Sequence, residues 1–214
     1  MTEHNGADAA FWDARYSESD RIWSGRPNTM LVREITGVRP GAALDIGSGE
    51  GADAIWLAEQ GWQVTAVDIS QVALDRAAEE AAKAGVADRV DWQRHDLGET
   101  FPKGEFDLVS AQYLHAPGEM PREKMLRRAA DAVAPGGLLM VVGHAIAPSW
   151  NQRPEGHGHH DMTFPTTADV LESLALPEGG WETVRDEEFE WTKPGPDGEP
   201  LTRTDNLLLL RRAA

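Results

Sequence analysis

The chain has 214 residues, 41% hydrophobic and 26% charged, with 20 Lys and Arg against 36 Asp and Glu, for a formal net charge of −16. That composition suits a globular core, but the charge opposes a phosphate-tracking surface, so a nucleic acid is not an expected partner. The absence of cysteine excludes disulfides, thiolate metal sites and cysteine nucleophiles.

The N-terminal "MTEHNGADAAFW" has neither the basic segment nor the apolar core of a signal peptide. No apolar run approaches the roughly 20 residues of a membrane span. A soluble, cytoplasmic protein with no membrane partner is expected. Residues 9–16 read as a short helix carrying Phe11, Trp12 and Tyr16. A second helix is predicted after Asn28, with Met30, Leu31, Val32 and Ile35 on its apolar side, and Pro40-Gly41 ends this segment.

A first strand is expected over residues 42–46, then a helix from Gly51 to a left-handed stop at Gly61. "WQVTAVDI" has the β-branched composition of a second strand. Ser70 can cap the next helix, which Gly85 closes. Its Arg76–Glu80 and Glu79–Lys83 pairs are expected on the solvent side. "RVDWQRHD" and "FDLVSAQYLH" read as the third and fourth strands. Residues 121–133 read as a helix with Met125, Leu126, Ala129 and Val133 inward. "APGG" is read as the turn into a fifth strand, "LLMVVGHA". A helix over 167–174 follows, then "WETVRDEEFEWTK" and "LTRTDNLLLLRR" about the hairpin-like "PGPDGEP". "NLLLLRR" suits an interior strand or an interface equally.

Strands alternating with helices, then a closing antiparallel hairpin, predict an α/β fold: a doubly wound, mostly parallel sheet. One domain over 1–214 is expected, with 1–40 a helical cap and 41–214 the core.

In such a sheet the ligand lies beyond the carboxyl ends of the strands, where strand order reverses. The loop there reads Gly47-x-Gly49-x-Gly51. It departs from the G-x-G-x-x-G of dinucleotide sites, and Glu50 and Asp53 add negative charge that opposes a pyrophosphate. A nicotinamide cofactor is therefore disfavoured. Asp68, ending the second strand, can accept both hydroxyls of a ribose, and Asp96 can accept from an adenine amine. An adenosine with a flexible, non-phosphate tail fits this set.

"ALDIGSGEG", "VTAVDIS", "RHDL", "FDLVSAQYLH" and "APGGLLMVVGH", in that order, resemble the class I S-adenosylmethionine-dependent methyltransferases. The resemblance implies a Rossmann-like, seven-stranded sheet and S-adenosylmethionine as cofactor, leaving as S-adenosylhomocysteine. It implies that Asp45 and the backbone of Gly47, Ser48 and Gly49 hold the methionine end; a cysteine or threonine commonly stands at Ser48. Asp68 would take the ribose, Ile69 would pack on the adenine, and Asp96 with Leu97 would meet its edge. Ala111, Gln112 and Tyr113 would flank the sulfonium.

The N-terminal "FWDARYSESDRIWSGRPN" resembles the cap of small-molecule methyltransferases of the thiopurine and tellurite-resistance type. Two readings fit its aromatics: Trp12, Tyr16 and Trp23 close over the cofactor, or they pack a helix onto the sheet. The acidity and the lack of a separate substrate module favour a small-molecule acceptor at S, O or N. A non-catalytic S-adenosylmethionine-binding sensor or partner subunit is the alternative. His144 and His115, after the fifth and fourth strands, are candidate general bases or loop histidines bonded to backbone, and Tyr113 lies beside them. Gly143 is expected to open room that aims His144 at the crevice. "PEGHGHHDMTF" brings His157, His159, His160 and Asp161 together as a substrate lid, a plain loop or, least favoured, a metal site; no metal is expected.

Overall fold

A computed structural model of the chain describes residues 6–145, 164–194 and 199–214. Two short helices, α1 (Ala9–Ser17) and α2 (Thr29–Ile35), open it. The alternating part follows: β1 (Ala42–Ile46), α3 (Ala52–Glu59), β2 (Gln63–Asp68), α4 (Gln71–Ala84), β3 (Val90–Arg94), β4 (Phe106–Gln112), α5 (Arg122–Asp131) and β5 (Val133–His144). Helix α6 (Thr167–Leu174), β6 (Trp181–Pro194) and β7 (Pro200–Arg212) close it.

The sheet runs β3-β2-β1-β4-β5-β7-β6. Strands β1 to β5 are mutually parallel, and β7 is antiparallel to both neighbours. This is the expected Rossmann-like, doubly wound architecture with its closing hairpin. Strand order reverses at β1, so the crevice opens between the carboxyl ends of β1 and β4.

Alternation along the strands feeds a core on each face. Leu44, Ile46, Val109, Ala111, Leu139 and Val141 pack under α5 and α6, and Ala43, Ala66, Leu108, Met140 and Val142 under α2 and α3. The four leucines of β7 divide the same way: Leu208 and Leu210 join the first core, Leu207 and Leu209 the second. "NLLLL" is therefore an interior strand. Among the described residues, no helix is long and apolar enough to cross a membrane.

Several local expectations change. Arg76 reaches Glu50 of the glycine loop (3.2 Å), while Glu80 pairs with Lys83 (2.6 Å) and with Arg21 of the N-terminal segment (3.1 Å). The expected Arg76–Glu80 pair gives way to tertiary partners on both sides, and the expected Glu79–Lys83 pair to an i,i+3 pair within the helix. Val133 belongs to β5, and Ala130 takes the inward place expected of it. "APGG" lies within the span of β5, at a register shift against β4 between Phe106 and Leu108. Strand β4 stops at Gln112, because Tyr113 turns into the left-handed region (φ 50°). The tip of the β6–β7 hairpin, residues 195–198, lies outside the described residues.

Candidate active site

The loop after β1 is held by the next strand. Gly47 and Ser48 donate their N–H groups to the Val67 carbonyl (2.8 and 3.0 Å), and Gly49 donates to Asp68 Oδ2 (2.8 Å). The other oxygen of Asp68 accepts from Ser70 N–H at 2.9 Å. Gly49 has φ 53°, and a Cβ there would stand 2.9 Å from the Tyr16 hydroxyl, so both backbone conformation and close approach favour glycine at position 49. Gly51 serves packing instead: its Cβ would meet the Trp92 ring at 2.5 Å and Ala77 at 2.7 Å.

Beneath this loop lie three carboxylates, Asp45, Asp53 and Asp68. Burial raises all three, and the charges of Asp53 and Asp68 push Asp45 well above the usual carboxylate range. Asp53 is pushed up to about 6, opposed by the N–H of Asn28. Among the described residues, Asp45 Oδ2, Ser48 Oγ and Gln112 Oε1 are buried with no hydrogen-bond partner. Crowded, desolvated carboxylates beside orphaned acceptors are the surroundings a cationic, hydrogen-bonding ligand satisfies.

On the β2–β3 side an open crevice of about 610 Å³ is lined by Ile69, Arg94, Asp96 and, from the N-terminal segment, Asp8, Ala9, Ala10 and Asp13. Asp96 spends one oxygen on Gly98 N–H (3.0 Å). Leu97 places its side chain in the α5-side core, and its carbonyl accepts from Arg128 (2.9 Å). Ala111 is likewise fully buried in that core, so Gln112 and Tyr113 are what β4 presents at its end.

The acids read from sequence as repelling a pyrophosphate also tie the N-terminal segment down. Glu50 accepts from the N–H groups of Ile22 (3.1 Å) and Trp23 (3.0 Å). Asp53 accepts from Asn28 N–H (2.6 Å). Asp13 accepts from Ser70 Oγ (2.6 Å) and lies 3.7 Å from Arg94. Tyr16 is buried, accepts from Trp23 Nε1 (3.0 Å), and stacks tilted on Trp12 (6.1 Å). Burial and the Asp68 charge raise the Tyr16 phenol, so it stays protonated. Tyr16 thus packs and also meets the loop, while Trp23 stays exposed.

On the β4–β5 side the structure brings Tyr113, His115 and His144 together. The His144 ring lies 4.8 Å from Tyr113 and stacks on His115 at 5.5 Å, with Phe164 edge-on to both histidines. The room beside Gly143 is not an opening onto the crevice: a Cβ there would meet the His115 ring at 3.3 Å and Asn206 at 3.4 Å. His115 Nε2 accepts from the backbone N–H of His144 (3.3 Å).

Sequence reasoning missed what holds His144. Asp205 of β7, fully buried, accepts from His144 Nδ1 at 2.7 Å and from the Tyr113 hydroxyl at 2.6 Å. Arg203 places Nε 2.6 Å from Asp205, donates from Nη2 to Tyr113 Oη (3.1 Å), and lies between the Tyr113 and Trp191 rings. The available signal was that β7, being antiparallel, begins where the parallel strands end, which brings "RTDN" to the ligand side. His157, His159, His160 and Asp161 lie outside the described residues, and among those described no cluster of three or more His, Asp or Glu could hold a metal.

Comparison with known proteins bears on this geometry. A methyltransferase domain family matches residues 43–137. The chain is 37% identical over 128 residues to 27-O-demethylrifamycin SV methyltransferase of Amycolatopsis mediterranei (56% of this chain, 46% of that protein). It is 29% identical over 133 residues to ribosomal RNA small subunit methyltransferase C of Alcanivorax borkumensis (60% and 40%). The chain thus spans less than half the length of these relatives. Among solved structures, one described under conversion of a disulfide bond into a thioacetal group during echinomycin biosynthesis superposes with TM-score 0.72 at 24% identity, covering 96% of this chain and 91% of that one. Magnesium protoporphyrin IX methyltransferase from Synechocystis, with S-adenosylhomocysteine bound, superposes with TM-score 0.63 at 18% identity (95% and 94%). These two likenesses carry the fold.

Proposed function

We propose that the chain is a class I S-adenosylmethionine-dependent methyltransferase that transfers a methyl group to a small-molecule nucleophile, a reading supported by the methyltransferase-domain match over residues 43–137 and by the methyltransferases it resembles. The observation that carries this reading is the trio of buried, raised carboxylates beside the orphaned oxygens of Asp45, Ser48 and Gln112 at the strand-order reversal. A ligand with an ammonium and a sulfonium satisfies them.

In this reading Asp45, Gly47, Ser48 and Gly49 hold the methionine end, and Asp68 the ribose. Ile69 and Asp96 line the adenine crevice with Asp13. Trp12 and Tyr16 cover the loop, and Gln112 and Tyr113 stand where the reacting carbon would lie. The cofactor supplies an electrophilic methyl on a sulfonium. The chain's part is to orient it, to exclude water beneath the N-terminal segment, and to manage the acceptor's proton, because displacement in a dry, positioned site needs little else.

The acceptor is the finer step. The relatives' names span an antibiotic and ribosomal RNA. The net charge of −16 and the closely tied N-terminal cover support a small acceptor over a polyanion. Residues 1–214 then act as one domain. Titration calorimetry with S-adenosylmethionine, and with NAD as control, tests the site. S-adenosylhomocysteine formation over a panel of phenols, thiols and amines tests the activity. Saturable binding without product from any acceptor would favour a sensor, and binding of NAD alone would sink the reading.

A further inference from the structure

The Arg203–Tyr113–Asp205–His144 chain has only one consistent direction of donation. Arg203 is donor-only and gives a hydrogen bond to the Tyr113 oxygen (3.1 Å), so the Tyr113 proton goes to Asp205 Oδ2 (2.6 Å). Oδ1 of that carboxylate remains for His144, 2.7 Å away, so Nδ1 carries the imidazole's proton and Nε2 its lone pair. Among the described residues Nε2 has no partner, and the His144 side chain keeps 19% of its surface exposed while Asp205 has none. Among the described residues, the charged and titratable groups around the ring are Asp205 and Arg203 from β7 and Tyr113 and His115 from the segment after β4; Phe164 adds an apolar edge.

We propose that Asp205 is a positioning residue that fixes His144 as a general base toward a hydroxyl acceptor of phenolic acidity, an inference that rests on the methyl-transfer reading above. The acceptor's O–H proton passes to His144 Nε2. The oxygen's electron pair forms the new bond to the methyl carbon as the carbon–sulfur bond breaks, its pair leaving with sulfur. The imidazolium so formed is stabilised by the Asp205 carboxylate and later yields its proton to water. A buried carboxylate engaged at both oxygens and backed by an arginine and a left-handed tyrosine is more than a loop histidine requires. A thiolate acceptor, already ionised, gives no use for such a base.

The test has two arms. Nitrogen-15 shifts of the His144 ring, read on ligand-free wild-type protein at pH 8, are expected to show Nδ1 protonated and Nε2 bare. Asp205→Asn, which can offer its amide N–H to Nδ1, is expected to move the proton to Nε2. With matched phenols and thiophenols as probes, Asp205→Asn and His144→Gln should lower the phenol-to-thiophenol turnover ratio by about 10²–10⁴-fold. S-adenosylmethionine affinity should stay at the wild-type value. A wild-type ring protonated at Nε2, or an unchanged ratio in a folded variant with intact affinity, overturns the dyad. Failure of wild-type protein to bind S-adenosylmethionine overturns the parent reading instead, and the ring shifts separate the two failures.

Discussion

The two walls of the crevice are built in opposite ways. The β1–β2–β3 wall is local: Ala42 to Asp68 form strand, loop, helix and strand in unbroken succession, and the amides of Gly47, Ser48 and Gly49 find their acceptors on the neighbouring strand, the farthest 20 residues on. The β4–β5–β7 wall is assembled across the chain, with Asp205 92 residues from Tyr113 and 61 from His144. In the proposed mechanism the first wall's backbone amides and carboxylates hold the ligand, and the second wall's directed side-chain network moves a proton. If that division is right, damage to the first wall costs affinity and damage to the second costs turnover.

The strongest way to break the comparison is Gly49→Val. A β-branched residue at φ 53° is strained, and its first carbon would already meet the Tyr16 hydroxyl at 2.9 Å. Cofactor binding should vanish from calorimetry while the protein still melts cooperatively. Normal affinity would show that the loop is not the site. Removing residues before Gly25 should come next. It deletes Asp8, Ala9, Ala10 and Asp13 from the crevice and leaves Leu31 and Ile35 in the core. Binding should weaken severely with the melt preserved, and a lost melt would make that segment scaffold rather than cover.

Asp68→Ala sharpens the comparison more gently. Charge-assisted hydrogen bonds are worth about 1.5–3 kcal/mol each, so affinity should fall at least about tenfold with kcat at saturation little changed. A fall in kcat at unchanged affinity would move Asp68 to the wrong wall.

The smallest expected effect is a pH dependence of the ligand-free fold. Asp53 is raised from 3.8 to about 6 by burial, so the folded state binds the proton more tightly than the unfolded chain. Its stabilising share is therefore present at low pH and is lost as pH rises from about 4 to about 6, by on the order of 2 kcal/mol. Melting at pH 5 and pH 7.5 should show a smaller loss in Asp53→Asn than in wild type. Identical losses would remove Asp53 as the cause.

What was legible in the sequence was whatever local physics decides. The turn chemistry of Gly47–Gly51, the caps at Asn28 and Ser70, the β-branched composition of "VTAVD" and the apolar run "LLMVV" are properties of neighbours along the chain, so those elements and the glycine loop could be read directly. Glu50 and Asp53 were visible as acids, but not as anchors, because their partners at Ile22, Trp23 and Asn28 belong to a separate segment folded over the loop. Likewise "NLLLL" showed four apolar residues but not which faces they met, since both faces of β7 are covered and no polar alternation marks the register. The antiparallel register that sets Asp205 opposite His144 is a property of the assembled sheet, and a shift of one residue would turn that carboxylate to the opposite face. By itself the sequence determined the fold and the glycine loop, because periodicity and turn chemistry are local. Only the tertiary structure decided what grips His144, because strand register is set by packing between segments distant in the chain.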